Sequence, residues 1–211
     1  MFVCEDEKMK KRRYLVAIVG GIGVGKTTVA RQLNEAISDA YYLEEDVSEN
    51  IFLPEFYSDM KRWAFHSRIS TLAMMINNYT KINEADNSII IMDRCVDELI
   101  TFATLQYESG NMTNKEYTTY KTLYEGILKM EEPINLFIYC KCSEECSLSR
   151  IKSRNRPFEQ EIDIDYLKKI NQQYDRWIDE NGKQYIVVNT ETDISETIPK
   201  VVELINEKHL S

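Results

Sequence analysis

A glycine-rich turn near the start of the chain ends in a lysine and two threonines: Gly20-Gly21-Ile22-Gly23-Val24-Gly25-Lys26-Thr27-Thr28. Its spacing, G-x-x-x-x-G-K-T, lets successive backbone N–H groups point at a polyphosphate, because glycine leaves room for a close approach. Lys26 can reach the β- and γ-phosphates, and the Thr27 hydroxyl is placed to bind Mg²⁺. The stretch predicts a P-loop and nucleotide binding, although a P-loop alone does not name the reaction.

The elements on either side of this turn agree with that interpretation. Residues Tyr14–Val19 are apolar and rich in β-branched side chains, which is typical of a buried strand in a parallel sheet. Residues 29–38 carry apolar side chains at helical spacing, and the N-terminus of this predicted helix favours an anion. A strand before the turn and a helix after it distinguish a P-loop from a chance glycine-rich turn.

Three carboxylates, Glu44, Glu45 and Asp46, end a second predicted strand at 41–44. The carboxyl ends of parallel strands form the edge at which open α/β folds bind their ligands. A carboxylate beside a phosphate site could accept the proton of an attacking hydroxyl group. A solvated acidic loop is the alternative, and charge alone favours it.

Asp93 and Arg94 follow a third predicted strand at 88–92. An arginine at this edge can hold a phosphate or a reacting hydroxyl group, and an aspartate there can reach Mg²⁺. These two residues can therefore converge with the P-loop and the carboxylates after the second strand.

Three further arginines, Arg150, Arg154 and Arg156, lie in a late segment at 150–160. In a chain whose formal net charge is −9, such a cluster favours a lid that closes on phosphates and stabilises charge in the transition state. The alternative is a basic helix end that pairs with nearby acids.

The 211 residues fit one α/β domain spanning 1–211, in which we expect 1–12 to be a frayed tail. The acidic balance argues against a nucleic-acid partner, and no apolar run is long enough to span a membrane. Five cysteines without a framework spacing indicate a reducing compartment, and we expect the cytoplasm. Cys140, Cys142 and Cys146 lack the paired spacing of a zinc site.

Predicted strands and helices alternate along the whole chain. Five apolar runs predict strands, at 14–19, 41–44, 88–92, 134–140 and 185–188. Residues 51–58 are expected to form a loop, and 60–80 a long helix. The alternation predicts a P-loop NTPase-type α/β fold, in which a five-stranded, mostly parallel sheet is flanked by helices.

Together these stretches resemble the deoxyribonucleoside kinases, which phosphorylate the 5′-hydroxyl group of deoxynucleosides. The resemblance runs over nearly the whole chain. It rests on the P-loop, Glu45, Tyr57-Ser-Asp-Met-Lys-Arg-Trp63-Ala-Phe65-His, Asp93-Arg94 and Arg150-x3-Arg154-x-Arg156-x2-Glu159-Gln160.

The resemblance implies the groups that carry out phosphoryl transfer. Glu45 resembles the general base for the 5′-hydroxyl group, and Arg94 resembles its partner, which holds that group in place. Lys26 contacts the phosphates of the donor, ATP. Thr27 would bind Mg²⁺ directly, with Asp93 assisting.

The resemblance also implies the groups that hold the two substrates. Tyr57 and Glu159 resemble the pair that bonds the 3′-hydroxyl group of the sugar, whereas Arg154 and Arg156 would clamp the donor phosphates within the lid that begins at Arg150. Members of this family are commonly homodimers joined through helices, for which 29–38 and 113–130 are candidates here.

Arg68 departs from the family, which normally has a glutamine at this position. Arginine only donates hydrogen bonds, so it pairs poorly with the amino group of adenine or cytosine and better with the carbonyls of thymine, uracil or guanine. Met75 and Leu99 lie near the positions of the family's Arg/Asp pair and leave an apolar rim. We therefore predict a preference for thymidine or deoxyguanosine, unless Arg68 turns away and a neighbour contacts the base.

Two other functions are compatible with the sequence. A nucleoside monophosphate kinase would need a cation for the acceptor phosphate, and Arg68 is the unexplained candidate. A non-catalytic relative would be expected to lose the P-loop lysine, the base or the arginines, all of which are present.

Overall fold

The computed structural model describes residues 13–210, so the predicted tail at 1–12 lies outside the described residues. Five strands form one sheet in the order β2-β3-β1-β4-β5, and all four neighbouring pairs are parallel. The strands are β1 Tyr14–Val19, β2 Ala40–Leu43, β3 Ile89–Asp93, β4 Leu136–Lys141 and β5 Tyr185–Asn189. The predicted five-stranded parallel sheet is confirmed, with strand boundaries that differ by one or two residues.

Eight α-helices connect and flank the strands within residues 13–210. They are α1 Lys26–Ala36, α2 Leu53–Ser58, α3 Met60–Glu84, α4 Leu99–Glu108, α5 Asn114–Leu128, α6 Glu144–Arg154, α7 Ile164–Asn181 and α8 Thr197–Leu210. No helix in this part of the chain is long and apolar enough to cross a membrane.

Two predicted boundaries were wrong for physical reasons. Most of the stretch 51–58 is helical, because residues Leu53–Ser58 form α2. Pro54 lies in the first turn of this helix, where a backbone N–H would have no partner within the helix, so its absence costs nothing. The first helix begins at Lys26 rather than at 29, because Gly25 adopts φ 90° and starts the helix directly from the P-loop.

Asp59 caps α3 by accepting a hydrogen bond from the backbone N–H of Arg62 at 3.0 Å.

The sheet lies between two helical layers, and alternate residues of β1 face each layer. Val16 and Ile18 pack with α1 and α8, whereas Ala17 and Val19 pack with α4 and α7. A third apolar cluster joins α2, α3, α4 and α5 outside the sheet. This arrangement holds the carboxyl ends of β1, β2 and β3 rigidly at one edge, facing the third cluster.

Candidate active site

A cavity of about 490 Å³ lies at this edge, between the P-loop and the cluster formed by α2–α5. It brings together residues from six separate stretches of the chain. Of the predicted site residues, those that line it are Ile22, Gly23, Gly25, Lys26, Thr27, Thr28, Glu45, Tyr57, Arg68, Arg94, Arg150, Arg154, Arg156 and Glu159. The remaining predicted site residues do not line the cavity but contact residues that do; they are Gly20, Gly21, Val24 and Asp93.

The P-loop conformation depends on glycine at two close approaches. Gly20 has φ 141° and Gly23 has φ 76°, both unfavourable for other residues. A Cβ atom would lie 2.6 Å from the Cys140 carbonyl oxygen at Gly20 and 2.7 Å from the Ser147 carbonyl oxygen at Gly23. Any side chain at either position would push the loop away from β4 and α6.

Lys26 is buried at the start of α1, and its ammonium group turns back into the loop. Its Nζ atom donates hydrogen bonds to the carbonyl oxygens of Gly20 at 3.0 Å and Gly21 at 2.7 Å. Burial, together with the positive charge of Arg94, lowers the pKa of Lys26. An anion placed in the loop would therefore stabilise the charged lysine.

Thr27 and Asp93 meet beside the P-loop. The Thr27 hydroxyl donates to Asp93 Oδ2 at 2.5 Å, while Oδ1 is buried and has no hydrogen-bond partner within residues 13–210. Burial raises the pKa of Asp93 because the carboxylate loses hydration there. An unsatisfied carboxylate oxygen and an adjacent hydroxyl are ligands that a hard cation prefers, so the pair fits Mg²⁺.

Glu45 reaches the cavity and forms an ion pair with Arg94. Arg94 Nε lies 2.6 Å from Glu45 Oε1, and both side chains are largely buried. Glu44 instead points outward to an exposed pair with Arg31, and Asp46 caps a short turn through Ser48. Only the middle carboxylate of the three therefore lies at the site, and for Glu45 the solvated-loop alternative is wrong.

Arg94 adopts φ 77°, a conformation that costs a residue other than glycine roughly 1–2 kcal/mol. The turn directs its side chain under the P-loop rather than along β3. There its Nη1 atom lies 3.2 Å from Glu98 Oε1 and 3.1 Å from the Tyr174 hydroxyl. The strain is thus offset by two carboxylates that hold one guanidinium group.

Glu98 is a member of this site that the sequence interpretation missed. It is fully buried and accepts hydrogen bonds from the Gly20 backbone N–H at 3.1 Å and the Tyr174 hydroxyl at 2.5 Å. Burial raises its pKa, against the opposing effect of Arg94. No helical spacing indicated it, because Arg94 has φ 77° and Cys95 is extended, so the two side chains meet only through the turn that follows β3.

The lid segment, defined here as residues 150–160, combines the end of α6 with the turn that follows. Arg154 Nε lies 2.7 Å from Glu159 Oε2, and Arg156 Nη1 lies 3.4 Å from Glu159 Oε1. Tyr57 stacks on Phe158 with ring centroids 6.0 Å apart. Tyr57 and Glu159 line the same cavity but form no hydrogen bond with each other.

Arg150 differs from the other two arginines because it is anchored. It donates to the Thr190 backbone carbonyl at 2.6 Å and to the Thr190 hydroxyl at 3.1 Å. That hydroxyl in turn donates to the Val24 carbonyl at 2.5 Å. Thr190, directly after β5, therefore ties the lid segment to the P-loop, a contact that the sequence interpretation missed.

Arg68 lies on the wall of the cavity that α3 forms, buried among aromatic rings. Its guanidinium carbon is 5.3 Å from the ring centroid of Phe56 and 5.3 Å from that of Phe102. Nη2 donates to the Ser67 hydroxyl at 3.1 Å, but Nε is buried without a partner in the described chain. The expected apolar rim is formed by Met74 and Leu99; Met75 packs into the core instead.

The fold and the site define a P-loop phosphotransferase: a phosphate-binding loop, a candidate Mg²⁺ pair and a buried carboxylate–arginine pair share one cavity. The model of the deoxynucleoside kinase family matches residues 16–210. The chain therefore belongs to the deoxynucleoside kinase family.

Individual relatives agree with this assignment. The chain is 32% identical to the deoxyadenosine kinase of Dictyostelium discoideum over 82% of this chain and 70% of the relative. It is 27% identical to the deoxyadenosine/deoxycytidine kinase of Bacillus subtilis over 92% and 94% of the two chains. The structure of deoxyadenosine kinase from M. mycoides with bound dCTP covers 92% of this chain and 99% of its own, with 26% identity and a TM-score of 0.81.

Proposed function

We propose that this protein transfers the γ-phosphate of ATP to the 5′-hydroxyl group of a deoxynucleoside, with Mg²⁺, in nucleotide salvage. The observation that carries the proposal is the 2.6 Å pair between Glu45 and Arg94, inside the cavity that the P-loop also lines. A carboxylate in this position can accept the proton that the hydroxyl group loses as it attacks. Arg94 keeps that carboxylate oriented and can also donate to the hydroxyl oxygen.

The remaining charges suit the phosphoryl group. Lys26 and the P-loop amides hold the triphosphate, and Arg154 and Arg156 of the lid segment can exchange Glu159 for phosphate oxygens. That exchange would free Glu159 to bond, with Tyr57, the 3′-hydroxyl group of the sugar. Thr27 and Asp93 would hold the Mg²⁺ that neutralises phosphate charge.

The monophosphate kinase is the second candidate, and one observation bears on it. The candidate cation for the acceptor phosphate, Arg68, lies among Phe56, Phe102 and the apolar rim. An aromatic base suits these surroundings better than a hydrated phosphate, because burial of an ion costs more than burial of a ring. We therefore favour the nucleoside over its monophosphate.

The experiment is a turnover assay with each of the four deoxynucleosides and their monophosphates, with ATP and Mg²⁺. We expect phosphorylation of at least one nucleoside, and replacing Glu45 with Gln should lower kcat about 100- to 10,000-fold while ATP still binds. Glu44→Gln is the matched control: it removes the neighbouring carboxylate, which pairs with Arg31 outside the cavity. Turnover of monophosphates alone, or an unimpaired Glu45→Gln enzyme, would refute the proposal.

We also propose a homodimer, formed through α5 and the neighbouring face of α3. Leu123, Met130 and Ile76 are large, exposed apolar side chains in this region. The other candidate helix, α1, packs against α8 instead. Sedimentation should show a dimer that Leu123→Glu weakens; a monomeric wild-type protein would contradict it.

The cytoplasmic location, the single-domain organisation and the closure of the lid segment on phosphates remain predictions. Four cysteines lie within the described residues, and none forms a disulfide bond there. Unpaired thiols suit the reducing compartment that we propose.

A further inference from the structure

Arg68 is anomalous within the cavity, because it is a buried cation without a counter-ion. Its side chain forms no ion pair with any residue in 13–210, and among its N–H groups only one at Nη2 has a side-chain partner, the Ser67 hydroxyl. Arginine stays charged in proteins, so it cannot avoid this cost by releasing a proton. A buried, unsatisfied donor of this kind needs an acceptor from a ligand.

The other polar groups at this end of the cavity satisfy one another. The Asn50 amide nitrogen donates to the Ser67 carbonyl oxygen and to the Thr71 hydroxyl, and the Asn50 carbonyl oxygen accepts from the Phe52 backbone N–H. The Thr71 hydroxyl donates onward to the Ser67 carbonyl oxygen at 3.0 Å. Each acceptor among these groups already takes a hydrogen bond from the protein, so none is left unpaired for an amino group on a ligand.

The carboxylates of the cavity are also engaged elsewhere. Among the described lining residues, the carboxylates are Glu45, paired with Arg94, and Glu159, paired with Arg154 and Arg156. The end of the cavity around Arg68 therefore presents hydrogen-bond donors in excess of acceptors. A ligand that bears carbonyl oxygens complements it, whereas a ligand that bears amino groups leaves donor facing donor.

The position of Arg68 indicates which part of the substrate it contacts. Arg68 and Arg94 both lie against the Phe102 ring, with guanidinium carbons 5.3 and 5.1 Å from its centroid. Arg94 lies beside Glu45, where the 5′-hydroxyl group would react. Arg68 lies instead against Phe56 as well, among aromatic and apolar side chains that suit the base of the substrate.

We propose that Arg68 selects deoxynucleosides whose base carries a carbonyl oxygen where adenine and cytosine carry an amino group. This inference rests on the proposed function and names its substrate class: deoxyguanosine and thymidine over deoxyadenosine and deoxycytidine. A guanidinium group can donate two parallel hydrogen bonds to the O6 and N7 atoms of guanine, so the purine preference should be the stronger of the two. The relatives named for deoxyadenosine need not share it, because the preference rests on this one side chain.

The sharpest test uses two purine nucleosides that differ at position 6 and at N1. Deoxyinosine carries a carbonyl oxygen at position 6 and a hydrogen on N1, whereas deoxyadenosine carries an amino group at position 6 and an unprotonated N1. Neither has the 2-amino group of guanine. We expect kcat/KM to favour deoxyinosine about 10- to 100-fold in the wild-type enzyme. Equal values, or a preference for deoxyadenosine, would overturn the proposal without any variant being needed.

A substitution then assigns the preference to Arg68. Arg68→Gln supplies an acceptor as well as donors, so the ratio should fall toward one, mainly through faster turnover of deoxyadenosine. Arg62→Gln is the matched control, because Arg62 lies on the same helix, exposed, and contacts only Trp63 and the capping turn. An unchanged ratio in Arg68→Gln would refute the role of Arg68.

Two further outcomes separate this inference from the proposed function. If no deoxynucleoside is phosphorylated at all, the proposed function fails first. If monophosphates are the substrates and Arg68→Gln raises their KM, Arg68 binds a phosphate and the base-selection proposal is wrong. The nucleoside and monophosphate arms of one assay thus decide both questions.

Discussion

Two buried arginines contact the ring of Phe102, and their surroundings are opposite. Arg94 has Glu45, Glu98 and the Tyr174 hydroxyl within hydrogen-bonding distance. Arg68 has two aromatic rings and one serine hydroxyl. Arg94 is therefore paired with carboxylates before substrate binds, whereas Arg68 has no counter-ion within residues 13–210.

This difference corresponds to two tasks. Groups that act on the transition state are most effective when they are fixed in advance, because no reorganisation is needed during the reaction. A group that discriminates between substrates is most effective when its own hydrogen bonds depend on the correct substrate, because the wrong one leaves a buried donor unpaired. Arg94 fits the first description, and Arg68 fits the second.

The largest expected effect is the difference in stability between two single variants, Arg94→Met and Arg68→Met. Arg94→Met would leave Glu45 and Glu98 as unpaired buried charges, so it should lower the free energy of unfolding by about 3–5 kcal/mol. Arg68→Met removes an uncompensated charge but also its contacts with two rings, so we expect a change below about 1 kcal/mol. Urea denaturation of both variants measures the difference, and similar losses would show that the contrast is wrong.

The next effect concerns Glu98, which we infer to be a positioning residue for Arg94 and the P-loop. Glu98→Gln keeps the shape but removes the charge that holds Arg94, so kcat should fall about 10-fold while the KM for ATP changes little. Glu108→Gln is the control, because Glu108 ends α4, the helix that Glu98 precedes, and forms an exposed pair with Arg176. An equal fall in kcat for both variants, or a change confined to stability, would contradict the positioning role.

Arg68 can also be compared with Glu131, a partly buried acid whose carboxylate oxygens have no hydrogen-bond partner within the described residues. Burial raises the pKa of Glu131 to about 7, against the opposing effect of the Tyr79 hydroxyl. Glu131 can therefore shed its charge by taking up a proton, an option that arginine lacks. Because its pKa is higher in the folded state, the stability it contributes is present below about pH 4.5 and lost as the pH rises through 7.

Glu131→Gln should remove this dependence. We expect the variant to match the wild type near pH 4 and to exceed its free energy of unfolding by about 1–2 kcal/mol at pH 8, a range that allows for the partial exposure of Glu131. Denaturation across pH 4–8 measures it. A wild-type advantage that grows with pH would show that Glu131 is stabilised as a carboxylate.

The sequence was sufficient for the groups that lie at strand ends. The Tyr14–Val19 run, the glycine spacing and the polar residues after β2 and β3 are local patterns, and parallel strands bring such ends to one edge. These patterns predicted the sheet, and the structure places Lys26, Glu45, Asp93 and Arg94 around one cavity. That they carry the reaction remains a prediction.

Contacts between distant segments could not be predicted in the same way. Tyr174 lies on the apolar face of α7, where its ring indicates only core packing, yet its hydroxyl contacts Glu98. The helix α2 was missed because a proline and several aromatic residues suggested a loop. The sequence also indicated Arg68 as unusual, but only the structure shows that no carboxylate faces it within residues 13–210.

The smallest effect should come from replacing Thr190, whose hydroxyl links Arg150 of the lid segment to the P-loop. Thr190→Val keeps the volume but removes the hydroxyl that accepts from Arg150 and donates to the Val24 carbonyl. Arg150 retains its bond to the Thr190 backbone carbonyl, so the P-loop should loosen without losing its anchor. We expect the KM for ATP to rise roughly 3- to 5-fold, equivalent to one hydrogen bond of about 1 kcal/mol.

Thr192→Val is the control, because its hydroxyl is exposed and donates only to Asn189 at 3.5 Å. If the two variants have the same KM for ATP, the bond from Thr190 to the P-loop does not support the phosphate end, and preorganisation there rests on Glu98 and Arg94 alone.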